Sequence, residues 1–214
     1  LTTIFCDYTW ICETSAEMFG SCTKLIGTVP FDDNYTDVSM ANPDKGYFTK
    51  VNKQAYAVEE GTILTFYYDT KLSSRTGTTY SMPAASDEKP AWAGTTNKKN
   101  TVITKAVFDE SFKTLCLTGT YSWFAYCTAL KEVVGMEYLN TENVSDMSEM
   151  FSDCSSLTSI NLSEFNTGKT TNMNSMFKNC RNINTIYCNN TWRCNKSEMM
   201  FSGCTKLVGA VPYN

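Results

Sequence analysis

Between Ser145 and Asn190 the sequence states one pattern and then begins it again. Met147, Met150, Phe151, Cys154 and Leu157 are answered 26 residues later by Met173, Met176, Phe177, Cys180 and Ile183. Offsets of 0, 3, 4, 7 and 10 are the spacing of one face of an α-helix, so each unit is predicted to open with about three turns of amphipathic helix. The alternation of Ile160 and Leu162 within residues 157–162 predicts a short strand, and residues 165–168 read as the turn leading to the next unit. A short helix plus a short strand every 24 to 27 residues predicts an α/β repeat, a leucine-rich-repeat-like solenoid, whose units fold only by stacking on one another.

The core of this pattern recurs five times: Met18-Phe19-x-x-Cys22-x-x-Leu25, Trp123-Phe124-x-x-Cys127-x-x-Leu130, the two units above, and Met200-Phe201-x-x-Cys204-x-x-Leu207. With linkers such as residues 138–144 and unit starts such as Asp146-Met147-Ser148, the MF-x-x-C-x-x-L unit resembles the BspA-like leucine-rich-repeat surface proteins of bacteria. The resemblance covers about residues 1–30 and 121–214, and the stretch between looks like the β-rich segment that often precedes such repeats. It implies a surface protein that attaches to host matrix proteins or to other cells.

Four regions are expected: 1–32 as the end of a preceding repeat array, 33–54 as a linker, 55–117 as an inserted β-rich segment, and 118–214 as the solenoid. In the third, residues 55–58 and 62–68 flank Glu59-Glu60-Gly61 as a hairpin, with Leu64, Phe66 and Tyr68 on one face. Residues 102–108 read as a further strand. The Ser-, Thr- and Pro-rich stretch between Leu72 and Asn100 is long for a compact domain, so it is either pinned or a binding loop. Residues 1–32 and 183–214 align without a gap, with 16 of 32 positions identical. Such matching ends suit either tandem modules of about 182 residues or end-to-end contact through Ile4, Phe5, Val211 and Tyr213.

The ten cysteines are of two kinds. Cys22, Cys127, Cys154, Cys180 and Cys204 share one repeat position, where stacking places them in a column of small, buried hydrophobes, with neighbouring rungs near disulfide reach. Cys6 with Cys12 and Cys188 with Cys194 form C-x5-C pairs around Thr-Trp, and these are the disulfide candidates. A zinc site is the rival reading, although the spacing is wide and the chain has no histidine.

The net charge of −4 and the absence of a long basic run argue against nucleic acid as a partner. No window approaches 18 consecutive apolar residues and the first residues lack a basic then apolar leader, so no membrane span or signal peptide is expected within this stretch. Without histidine, the usual general base and the usual nucleophile pairs are missing. Paired carboxylates remain available for glycoside hydrolysis, but Glu132, Glu137, Glu142, Asp146, Glu149 and Asp153 are scattered over solvent-facing repeat positions. Asp32, Asp33, Asn34 and Asp37 offer oxygen ligands for calcium without its 12-residue loop pattern, so a solvated acidic loop is preferred. Asn34, Asn143, Asn161, Asn189 and Asn195 begin N-x-S/T sequons, which a composition this rich in Asn, Ser and Thr also produces by chance.

No catalytic residue, cofactor or metal site is therefore expected. Trp92 with Tyr80 is the candidate ligand contact, with Trp92 as an anchor for its own loop the favoured alternative. The functional expectation is a secreted or cell-surface adhesin or interaction module for host proteins, glycans or other cells. Its alternative is a structural subunit of a fibre or stalk built by head-to-tail stacking.

Overall fold

The structure is a computed structural model that describes residues 1–6 and 8–209. The chain divides into two compact units, Leu1–Lys53 and Gln54–Asn214.

In the first unit β1 (Ile4–Phe5) pairs in parallel with β2 (Phe48–Thr49). Its core is Phe19, Leu25, Ala41, Tyr47 and Phe48, all nearly inaccessible. The Phe19 ring meets those of Tyr47 and Phe48 edge to face at 5.4 and 6.1 Å, a geometry that suits the aromatic quadrupoles. Residues 33–54 are thus not the linker expected from their polar start. Ala41, Tyr47 and Phe48 supply much of this core, and the Asp-rich opening is spent on local turns.

The second unit is built on a mixed five-stranded sheet of order β5-β3-β4-β6-β7. Here β3 (Gln54–Glu60) and β4 (Ile63–Asp69) form the expected hairpin, and β5 (Thr78–Ser81) pairs antiparallel with β3. On the other side β6 (Lys105–Phe108) and β7 (Glu132–Val134) join in parallel. The alternation in β4 holds: Leu64 and Phe66 are fully buried, whereas Ile63 faces outward. Phe66 stacks on Phe108 at 4.6 Å and on Trp123 at 5.5 Å, which ties the sheet to the first of four turn-rich units that follow.

Those units contain no α-helix among the described residues. The expected leucine-rich-repeat-like solenoid of alternating helix and strand is therefore not the fold, which consists of strands in separate sheets, one of them mixed, with short 3-10 turns and coil. Met147, Met150, Phe151, Cys154 and Leu157, and their partners Met173, Met176, Phe177, Cys180 and Ile183, are all buried. Their backbone is different. Met150, Ser152, Cys154 and Leu157 donate to carbonyls three residues back, the bonds of consecutive tight turns. The intervening N–H groups of Met147, Glu149, Phe151 and Asp153 leave the unit and donate to the carbonyls of Asn172, Asn174, Met176 and Lys178 at 2.7–3.0 Å. The same alternation joins residues 120–126 to 146–152 and residues 173–179 to 196–202.

An α-helix closes its interior N–H groups on itself, so it has nothing to give a neighbour. Consecutive turns of three to four residues keep the same apolar spacing while exporting alternate donors, which leaves all of them satisfied in the stack. The chain achieves this by placing two residues per unit in the left-handed region: Ser122 and Tyr126, Glu149 and Asp153, Ser175 and Asn179, and Met199 with Gly203. The non-glycine members have φ of 54 to 60°. Parallel β8 (Ser159–Asn161) and β9 (Thr185–Tyr187) complete the third sheet.

The conformation at Ser175, with φ of 57°, is directly testable. Ser175→Val should cost about 1–2 kcal/mol because a β-branched residue is strained there, whereas Ser175→Gly should be neutral or slightly stabilising. Urea denaturation of both variants checks this, and equal losses would argue for an ordinary helical conformation.

Candidate interaction surface

Among the described residues no group of three or more Cys, Asp or Glu is placed to hold a metal ion. The Asp32 to Asp37 cluster closes local turns: Asp32 accepts from the backbone and side-chain nitrogens of Asn34, and Asp37 from the backbone N–H of Ser39 at 2.8 Å. The side-chain and backbone bonds from Ser39 hold the Asp37 carboxyl below its usual range. Among the described residues no helix is long and apolar enough to cross a membrane.

The acidic residues of the repeats are partly structural. Asp146 accepts from the backbone and hydroxyl of Ser148 at 2.7 and 2.5 Å and from the Asn172 amide of the next unit at 3.0 Å. Asp153 accepts from the Asn179 amide at 3.3 Å, and Glu132 pairs with Lys105 at 3.0 Å across β7 and β6. The bonds of Asp146 and Asp153 are rungs between successive units, whereas Glu132, Glu137 and Glu142 are exposed, as the sequence suggested. Sequence reading also missed a cluster on the outer sheet face. Tyr56 donates to Asp69 at 2.6 Å, and Arg75 bridges to Asp69 at 2.7 Å while lying 3.7 Å over the Tyr67 ring. It pins residues 71–77 to the sheet, and only the loop's return brings Arg75 there.

Both C-x5-C pairs are free thiols, so the expected disulfides are corrected. Each sulfur is instead turned onto a nearby carbonyl: Cys6 onto Tyr8, Cys12 onto Thr14, Cys188 onto Asn190 and Cys194 onto Lys196, at 3.0–3.3 Å. In the second unit the repeat cysteines form the column. Cys154, Cys180 and Cys204 donate to the carbonyls of Phe124, Phe151 and Phe177 of the preceding units at 2.9–3.0 Å. Burial pushes the Cys127 thiol up to about 12 and that of Cys204 to about 11, and raises Cys154 and Cys180 as well. Such thiols are poor nucleophiles and poor metal ligands near neutral pH.

Trp92 and Tyr80 do meet, with ring centroids 6.0 Å apart, but Trp92 is 2% exposed and cannot stack on a ligand. Its indole N–H donates to the Trp123 carbonyl at 2.6 Å, and the Tyr80 hydroxyl donates to Glu59 at 2.8 Å. The loop is a cover for the first repeat unit: Gly94 donates to Ala125 and Asn100 to Tyr126, while the Asn100 side chain holds the Trp92 carbonyl.

The exposed candidates lie elsewhere. Outward strand positions fall in register across β8 and β9, where Ser159 faces Thr185 and Asn161 faces Tyr187, the last 57% exposed. Beside them is a 460 Å³ groove lined by Ser163, Phe165, Asn166, Asn190 and Arg193. At the end of the stack a 620 Å³ depression is lined by Ile186, Trp192, Met200, Phe201 and Leu207. Of the residues expected to make end-to-end contact, Ile4 is half-buried and Phe5 exposed in the first unit, and Val211 and Tyr213 lie outside the described residues.

Two outcomes follow from these placements. Trp92→Ala should lose about 3–5 kcal/mol of stability, as large aromatic truncations in a core do; a denaturation midpoint unchanged from the parent would return Trp92 to the surface. The thiol column holds its protons more tightly when folded, so its stabilisation is full below about pH 9.0 and is lost as pH rises towards about 12. Thermal melts between pH 8 and 11 should fall less steeply for Cys154→Ala than for the parent, and identical slopes would exclude the column as the cause.

No curated protein and no solved structure matches the chain. Residues 93–212, more than half of the chain and all four stacked units of the second body, match a family described as Mycoplasma protein of unknown function, DUF285. The match begins at the loop that covers the first unit and runs through the ladder of exported hydrogen bonds. The chain therefore belongs to the DUF285 family of Mycoplasma proteins.

Proposed function

We propose that the chain is a non-enzymatic contact module of an extracellular, secreted or cell-surface repeat protein, acting as an adhesin towards host proteins, glycans or other cells. The observation that carries this reading is the ordered row of outward side chains on β8 and β9, fixed in register by a backbone ladder that spends its own polar groups internally. Tyr187 stands 57% exposed beside Asn161, an aromatic face next to an amide, and the groove lined by Asn166, Asn190 and Arg193 adds hydrogen-bonding capacity. Tyrosine so placed is a common binding hot spot. The resemblance of the MF-x-x-C units to BspA-like surface proteins and membership of DUF285 support the surface setting.

A second reading, a structural subunit of a fibre or stalk extended head to tail, is favoured by the apolar depression at the end of the stack. The adhesive reading is tested by screening the purified chain against extracellular matrix proteins and a glycan array. A ligand retained by the chain and weakened at least about tenfold by Tyr187→Ala, with an unchanged melting curve, is expected. Absence of any ligand across both panels, or full binding by the variant, would overturn it.

A further inference from the structure

The last repeat of the second unit and the opening of the first are one design seen twice. Beyond their shared sequence, their internal bonds coincide at an offset of 182: Ile26 donates to Thr2 at 2.8 Å, and Val208 to Asn184 at 2.9 Å. Leu25 and Leu207 close on Cys22 and Cys204, and the thiols of Cys6 and Cys188 turn onto the carbonyls two residues ahead. The two copies differ in what covers them.

In the first copy, residues 36–49 lie across the open side. Phe19, Trp10 and Cys6 donate from their backbones to Thr36, Ala41 and Thr49 at 2.8, 3.0 and 3.2 Å, and the Ser15 hydroxyl accepts from Val38. Phe48 sits 4.8 Å from the Trp10 ring, and Phe19 is left 3% exposed. In the second copy the corresponding N–H groups of Cys188, Trp192 and Phe201 find no acceptor among the described residues. Phe201 is 36% exposed, and the buried indole N–H of Trp192 has no partner among the described residues. Ile186, Phe201 and Leu207 line the end depression, whereas their counterparts Ile4, Phe19 and Leu25 belong to or pack on a closed core. The direction also agrees: Phe177 donates to Met200 of the unit after it, as Phe19 does to Thr36.

Glycine gives an independent sign. A Cβ on Gly27 would lie 2.2 Å from the carbonyl carbon and oxygen of Tyr47, so only glycine lets the covering strand approach. The matching position is Gly209, although the other three repeats of the second unit carry Glu132, Ser159 and Thr185 there.

We propose that the end face formed by Ile186, Trp192, Phe201 and Leu207 is a docking site for a second copy of residues 33–53, which adds a strand along the edge of β9 that has no partner strand among the described residues, as β2 does along β1. Strand addition of this kind is specified by backbone bonds and by side-chain pockets at alternate positions. Here the pocket residue is the second copy's counterpart of Phe48. The site joins one module to the next in series, and it stands whether or not the outer strand face binds a ligand.

The test extends the full 214-residue chain at Asn214 by a second copy of residues 33–53, the register that the gapless alignment prescribes. Hydrogen exchange at the amides of Cys188, Trp192 and Phe201 should slow by about tenfold or more, as newly bonded amides do. The protection should vanish with Phe48→Asp in the added copy alone, and with Gly209→Val. Unchanged exchange in the extended chain, or protection that survives both substitutions, would overturn the proposal.

Discussion

Everything in the second unit depends on where alternate backbone N–H groups point. Within each repeat one set closes tight turns and the other crosses to the following repeat, with four crossings from each of the turn segments 120–126, 147–153 and 173–179. The arrangement requires residues in the left-handed region, which is unfavourable for most side chains. It persists because every repeat supplies acceptors to the one before it, so the strained turn and the ladder stand or fall together. A single repeat taken alone would hold exported donors with no acceptors and an apolar face with nothing against it.

Side-chain columns follow from this ladder. Phe124, Phe151, Phe177 and Phe201 stack with centroids 5.4–5.7 Å apart and planes within 12° of parallel. The cysteine three residues on is small enough for the adjoining turn, and its thiol reaches the carbonyl of the phenylalanine one repeat back. Burial in that position explains why these thiols stay protonated. Polar columns work likewise: Asn172 reaches Asp146, Asn179 reaches Asp153, and the Asn182 amide reaches the Ser155 carbonyl at 2.7 Å. The richness in Asn, Ser and Thr is therefore spent largely on satisfying groups between repeats.

The two ends of the ladder differ. At the first, Trp92 and residues 94–100 close over Ala125 and Tyr126, and Phe66 and Phe108 carry the aromatic column into the sheet. At the last, β9 pairs only with β8 among the described residues and Phe201 is partly open. A ladder built from donors that leave their own repeat has such an edge wherever it stops, unless a non-repeating segment closes it. Residues 33–53 are that kind of segment in the first unit, which is why the open end and the covered one can be compared residue by residue.

The sequence by itself determined the repeat, its register, the inward set Met150, Phe151, Cys154 and Leu157, and the hairpin of β3 and β4, because apolar periodicity reports which side chains are buried. It did not distinguish an α-helix from successive tight turns, since both return a side chain to the same face every three to four residues. That choice lies in bonds between residues about 25 positions apart, with Glu149 and Asp153 in the left-handed region although neither is glycine. For the same reason the sequence left Trp92 and Tyr80 open between a ligand contact and the favoured loop anchor, and made residues 33–54 look like a linker. Tertiary structure decided that Trp92 seals a repeat and that Tyr47 and Phe48 close a core, because burial of an isolated aromatic depends on which distant backbone comes to rest against it.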